Sequence, residues 1–169
     1  MARSLRSQFV MKLPMLLRLR GTRSSLQHVS DERRVHTKHT ELSLEEIADA
    51  LPGTGELMAS VGRSYGALWH AAHGGNWDLA AYFLRRVRGV QRTLAVVRPK
   101  YREQLADFEK EHIAPLMSTI DARDLIAFDR EYERGVARAN EYHVLNGKSY
   151  IRWKRPDRPP DDLDLSPGT

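Results

Sequence analysis

The chain has no cysteine, no long apolar run and no glycine-rich phosphate loop, and each absence removes a class of function. Without thiols there can be no disulfide, no thiolate metal site, no thiol nucleophile and no thioether-linked cofactor, and a reducing, cytoplasmic setting is expected. No stretch approaches the roughly 18 consecutive apolar residues of a membrane-crossing helix, so no membrane span is expected. Repeats of fixed period and strand-like alternation are also missing. Ser60, Ser64, Ser118 and Ser149 lack the G-x-S-x-G setting and a His and Asp relay, so no catalytic residue is expected. Glu111-His112 and Glu141-Tyr142-His143 have the wrong spacing for the Glu-x-x-His pairs of di-metal bundles. His70 and His73, three apart at a helix end, are read as complementing the negative end of the helix dipole. No metal is assigned.

Charge is unevenly spread. The net +5 conceals an arm, residues 1–30, with Arg3, Arg6, Lys12, Arg18, Arg20 and Arg23 and no acid, while the remainder nets −1. A near-neutral body lacks the clustered basic face that phosphate neutralisation requires. Arg85, Arg86, Arg88 and Arg92 share a helix face without interleaved aromatics, so no nucleic-acid partner is expected. Residues 1–40 are expected to form a disordered basic arm. Lys12 and Pro14 interrupt its apolar segment and no small-x-small cleavage site follows, which does not suit a secretory signal. His28, His36 and His39 follow no helical register and are read as solvated.

What is present is helical periodicity. Ser43-Leu44-Glu45-Glu46 has the form of a capping box, predicting a short helix over 44–51 that Pro52-Gly53 ends. A long helix is predicted over 55–73, capped by Thr54, with Leu57, Met58, Val61, Tyr65, Leu68, Trp69 and Ala72 inward. Gly74-Gly75 stops it and Asn76 caps the next, over 77–97, which buries Trp77, Ala80, Ala81, Leu84, Val87 and Leu94. A third, over 100–120, turns Tyr101, Leu105, Phe108, Ile113 and Leu116 inward; Pro115 predicts a kink or restart. Asp124 caps a fourth that runs to Gly147 with Leu125, Phe128, Tyr132, Val136, Ala139 and His143 on one stripe. The pattern predicts an all-α, up-down-up-down antiparallel four-helix bundle over residues 41–156. A flexible acidic and proline-rich tail is expected over 157–169, with Tyr150, Ile151 and Trp153 lying back on the bundle before it.

Particular residues then carry a resemblance. L-P-G-T-G-E-L-M (Leu51 to Met58), A-L-W-H-A-A-H-G-G-N-W-D-L-A-A-Y (Ala67 to Tyr82), I-A-P-L (Ile113 to Leu116) and A-N-E-Y-H-V-L-N-G-K-S-Y-I-R-W-K-R-P (Ala139 to Pro156) resemble small bacterial proteins related to cytochrome c′. That resemblance implies a last helix bearing C-x-x-C-H, whose cysteines bind haem covalently and whose histidine is the proximal ligand. Here the five positions read Ala139-Asn140-Glu141-Tyr142-His143: the histidine stands and both cysteines are absent. Covalent haem is chemically impossible. Soluble b-type four-helix cytochromes hold haem with a methionine of the first helix and a histidine of the fourth, and Met58 and His143 occupy comparable positions, a soft thioether opposite an imidazole.

The expectation is therefore a haem-free, non-catalytic relative that works by binding or scaffolding: a protein partner, a second copy in a homodimer, or a small apolar molecule in the space haem would fill. Tyr65, Trp69, Trp77, Phe128 and Tyr142 are the rings expected to refill that space. The alternative is non-covalent, b-type haem on His143, with Met58 as second ligand, serving electron transfer or gas-ligand binding.

Overall fold

The computed structural model describes residues 34–167; the arm over 1–33, with His28, lies outside them. A division between two compact units falls after Leu44. In the first, β1 (Arg34–His36) and β2 (Glu41–Ser43) form an antiparallel hairpin with Arg34 opposite Ser43. Residues 34–40, which the sequence assigns to the basic arm, form a strand and turn. Thr37 closes the turn, its hydroxyl donating to the Thr40 carbonyl at 2.6 Å, and Glu41 takes His36 at 2.7 Å across the strands. All three β1 residues are exposed, so no apolar alternation marks them.

The second unit is mostly helical, with no strand among its described residues. It contains α1 (Leu44–Asp49), which begins in the last residue of the first unit, then α2 (Thr54–His73), α3 (Trp77–Val97), α4 (Arg102–Phe108), α5 (Ala114–Asp121) and α6 (Leu125–Leu145). The joints follow the residue chemistry. Asn76 accepts from the Leu79 amide at 3.1 Å and Asp124 from the Ala127 amide at 3.0 Å, each satisfying one orphan donor of a first turn. Gly75 and Gly147 stand at φ +78° and +69°, where a side chain would be strained. Around each, amides fold back on the last turn: Asn76 to Ala71 at 2.8 Å and Lys148 to His143 at 2.7 Å. Arg123 adopts the same left-handed conformation at φ 54° without being glycine. At the start of α2 the cap position is Gly53, not Thr54, which lies inside the helix.

Pro115 acts one turn upstream of itself. A π turn, Glu109–Ile113, joins α4 to α5, with the Ala114 amide reaching the Glu109 carbonyl five residues back. Phe108 and Ile113 are five apart, a spacing that would split them between faces of an α-helix. The extra residue of the π turn brings both inward, and both are buried. Arg92 of α3 fixes the turn by a two-pronged pair with Glu109.

α6 packs antiparallel to α2, since His73 meets Asp129 at one end and Tyr65 meets Tyr132 further along. The core between the helices includes Val61, Leu68, Leu84, Val87, Phe108, Leu116, Phe128 and Tyr132. Leu125, placed on the inward stripe by its spacing, is exposed. Residues 157–167 carry no helix or strand, yet Leu165 packs on the core and Asn76 donates to the Ser166 carbonyl at 2.6 Å.

α2 and α6 meet through a pair of tyrosines. Tyr65 and Tyr132 stack at 4.6 Å between ring centroids. Tyr65 Oη donates to the Tyr132 carbonyl at 3.4 Å and Tyr132 Oη to the Tyr65 carbonyl at 3.2 Å. Gly135 makes room, because a Cβ there would fall on Tyr65 Oη well inside contact distance. Gly135→Ala gains about 1 kcal/mol of helix propensity, but overpacking a ring that is 3% exposed costs about 1–3 kcal/mol. Gly135→Ala is accordingly expected to lower stability in chemical unfolding. Pairing it with Tyr65→Phe, which removes the obstructing atom, should recover most of the loss; additive effects in the double-mutant cycle would show that the two positions do not collide.

Candidate functional site

Between the N-terminal turns of α2, the C-terminal turns of α3 and α6, and α4 lies a cavity of about 650 Å³, within the range of small-molecule sites. Its deep end is made by Tyr65, Gly135 and Phe108, and its mouth by Thr54, Gly55, Tyr101, Lys148 and Tyr150. From Thr54 to Tyr65 is eleven residues of α2, or about 16 Å of depth at 1.5 Å per residue. The walls are mostly apolar: Met58, Val61, Leu94, Leu105 and Ile151 among them. No carboxylate lines the cavity among the described residues, and Lys148 is the one charged side chain in the lining besides the titratable His143.

The outer wall is the extended segment after Gly147, and side chains of α6 hold it. Asn140 pairs with both main-chain groups of Trp153, donating to its carbonyl at 2.8 Å and accepting from its amide at 2.7 Å. His143 Nδ1 donates to the Ile151 carbonyl at 3.1 Å, and its ring meets Trp153 edge-on at 5.6 Å. Trp153 in turn lies against Gly62, where a Cβ would be at 3.3 Å from the indole. Ile151 and Trp153 do lie back on the helices, while Tyr150 is 77% exposed at the rim.

His143 is half-buried and lines the cavity. With Nδ1–H committed to a carbonyl, the tautomer is set and Nε2 carries a lone pair. Nε2 has no hydrogen-bond partner among the described residues. Met58, also half-buried, lines the same cavity. Tyr65 closes the deep end, and Tyr142 forms part of the wall with the Arg138 guanidinium 4.4 Å above its ring.

The structure thus brings His143, Met58, Tyr65 and Tyr142 to one space. Three other expected ring positions lie elsewhere. Trp69 stacks on His73 at 3.8 Å, beneath Arg155, and Trp77 meets Phe128 edge-on at 6.2 Å. None of Trp69, Trp77 and Phe128 lines the cavity. They pack toward the α2–α3 joint, because Trp77 starts α3 and Phe128 lies in the first turn of α6. They cannot refill space at the opposite helix ends.

Gln91 was not singled out by the sequence reading. It is 6% exposed, lines the cavity and has an Oε1 with no partner. The signal was available in spacing: Leu84, Val87, Gln91 and Leu94 recur at three and four, so the glutamine sits on the buried stripe of α3. Asn140 and Trp153 were equally legible only as parts of a helix and a tail, since their pairing depends on the chain reversing at Gly147.

Burial pushes the His143 imidazole below its ordinary range, and the Ile151 carbonyl pulls it partly back up. His112 in the π turn is also lowered, first by burial and then by Arg134 and Arg138. Both histidines bind protons more readily in the unfolded chain. Their neutral forms therefore support folding fully above about pH 6.5, and that support is lost as pH falls through the unfolded and then the folded pKa. Thermal unfolding is expected at lower temperature at pH 5 than at pH 7, with a smaller difference in His143→Gln; an unfolding temperature that rises on acidification would contradict the assignment.

No family model, no curated protein and no solved structure matches the chain, so the functional reading of this cavity rests on its own geometry and chemistry.

Proposed function

We propose that this is a non-catalytic binding protein, an up-down-up-down four-helix bundle of the cytochrome c′ kind without covalent haem, which takes one small, largely apolar molecule into the cavity beside His143. The observation that carries the reading is a space of about 650 Å³ whose lining is apolar apart from a few polar groups, the usual make-up of a ligand site. The antiparallel contacts of α2 with α6 and the short joint at Gly74-Gly75 support the bundle arrangement. Support for the cytochrome c′ relation comes from Ala139, Tyr142 and His143, which correspond to the two cysteines and the histidine of the attachment motif and all line this cavity.

A second reading, non-covalent haem, is favoured by the state of His143. Metal-binding histidines characteristically donate their other ring N–H to a carbonyl or carboxylate, and Nδ1 of His143 does so to Ile151 while Nε2 is left without a protein partner. His143 Nε2 and the Met58 thioether would hold the group, which when bound supplies electron transfer or gas-ligand binding. The donor chemistry fits.

Both readings are tested with the full chain. An environment-sensitive apolar fluorophore is expected to bind saturably at one site. Ala59→Trp, which places an indole at an exposed position of the cavity lining, should weaken that binding at least about tenfold with little change in unfolding temperature. Undiminished binding in Ala59→Trp would remove the cavity as the site. On the haem reading, titration shifts the Soret band and His143→Ala abolishes the shift; a free-haem spectrum in the presence of protein discards that reading and leaves the first intact.

A further inference from the structure

Resting on the cavity reading above, which molecules the lining selects turns on charge, and the charge lies at the mouth. Lys148 is the one lining side chain that is charged at neutral pH, and no carboxylate lines the cavity among the described residues. Its main chain is fixed in the wall: the Lys148 amide donates to the His143 carbonyl at 2.7 Å, and the Lys148 carbonyl accepts from the Ile151 amide at 2.9 Å. Both partners line the cavity. The half-buried side chain therefore starts at the rim, and its flexible stem lets the ammonium swing over the opening while staying in water.

A second ammonium stands at the same rim. Lys100 Nζ lies 4.8 Å above the ring of Tyr101, which is part of the mouth. Neither lysine has a carboxylate partner among the described residues. Cations on the helix faces are different: Arg138 is held by Glu141 and Arg92 by Glu109. Glu56 and Glu103, in the first turns of α2 and α4, lie outside the lining. α2 also starts at this rim, and Gly53 gives its amides no side-chain cap, so its dipole adds to the field of the lysines.

The deep end has the opposite character. Tyr65, Phe108 and Gly135 close it, and the tyrosine hydroxyl there is committed to the Tyr132 carbonyl. A charged group driven to that depth would lose its water without gaining a counter-charge, which is strongly unfavourable. An amphiphile can thus enter in one direction only, tail first. At the rim an acidic head meets two unpaired ammonium groups and keeps part of its hydration, whereas an ammonium head meets like charge. The lysines are solvated without a ligand, so they neither attract nor repel an uncharged molecule.

We propose that the cavity takes an anionic amphiphile, with its apolar chain in the slot and its carboxylate or phosphate head at the rim beside Lys148 and Lys100. Either head offers acceptor oxygens to the ammonium donors. A ten-carbon chain suits the slot: extended, it is about 12 Å long from C–C bonds of roughly 1.5 Å, against a depth of about 16 Å.

Decanoate, decyl phosphate, decan-1-ol and decylammonium share that chain and differ in the head; each is measured at pH 7 by displacement of an uncharged apolar fluorophore from the full chain. Wild-type protein is expected to bind at least one of the two anions about tenfold or more tightly than decylammonium, with the margin shrinking as salt is raised. In Lys148→Met that anion should bind about fivefold more weakly, and more weakly still with Lys100→Met added, while decan-1-ol holds within about twofold. Lys148→Arg should keep the anion. The anion that leads identifies the head as carboxylate or phosphate, and either lead supports the rim. Decylammonium binding as tightly as both anions, an anion preference that survives in the double variant, or an equal loss of decan-1-ol in Lys148→Met would each overturn the assignment while leaving the cavity as a binding site. Failure of all four compounds to displace a fluorophore that Ala59→Trp does exclude also overturns it. A fluorophore that never binds at all instead defeats the cavity reading beneath it.

Discussion

Two tyrosines on facing helices, each donating to the other's main chain, hold α2 and α6 at the separation on which the second unit depends. Burial pushes both hydroxyls to higher pKa, which favours their protonated, donating form. A buried hydroxyl without a partner costs about 1–3 kcal/mol, which gives the reciprocal arrangement its specificity: a sliding of one helix along the other would strand two donors together. The clasp also stops the cavity. Beyond Tyr65 and Tyr132 the space between the helices is filled by Leu68, Phe128 and their neighbours; before it, the helices bound an open slot.

The slot's outer wall is hydrogen-bonded to side chains of α6 and packs on α2 at Gly62. Asn140 and His143, three residues apart and so on one face of the helix, hold Trp153 and Ile151 by main-chain bonds. His143 therefore has two functions in one ring. Nδ1 positions the wall, and Nε2 faces the question of what the cavity contains. On either functional reading, anything that engages Nε2 also acts on the residue that fixes Ile151, so ligand binding and wall position are linked through a single imidazole.

Much of this was legible in the chain. Asn76 and Asp124 cap as their chemistry requires, glycines end α2 and α6 in the left-handed conformation, and the stripes of α2 and α6 put Met58 and His143 near the same end. Local rules suffice for such features. The hairpin over 34–43 was hidden because its residues are largely exposed and polar, leaving no periodic signal. The π turn was hidden because it depends on Pro115 and the five-residue gap from Phe108 to Ile113 together. Gln91 is polar by type but buried by position, since the three-four spacing puts it on the inner stripe of α3. Trp69, Trp77 and Phe128 suit the space by ring size, but they lie toward the α2–α3 joint, and ring size alone carries no information on distance along a helix.

A cavity this large raises the question of how it survives in a small domain. Sealed and dry, about 650 Å³ would cost on the order of 15 kcal/mol at roughly 24 cal/mol per Å³, as much as the whole stability of an ordinary domain. Two features of the walls avoid that penalty. The mouth is open between exposed Gly55 and Tyr150, so water can enter when no ligand does. In addition, the hydrogen bonds that fix the walls join adjacent elements: Asn140 to Trp153, His143 to Ile151, Asn146 to Gln104, Tyr65 to Tyr132. None of these bonds is strengthened by bringing opposite walls together, and the clasp at the deep end opposes it by fixing the helix separation. Collapse would gain apolar contact only by breaking paired polar groups. The open slot is consequently a property of the folded chain itself, set before any ligand arrives, and binding needs to reorganise little beyond the water inside it.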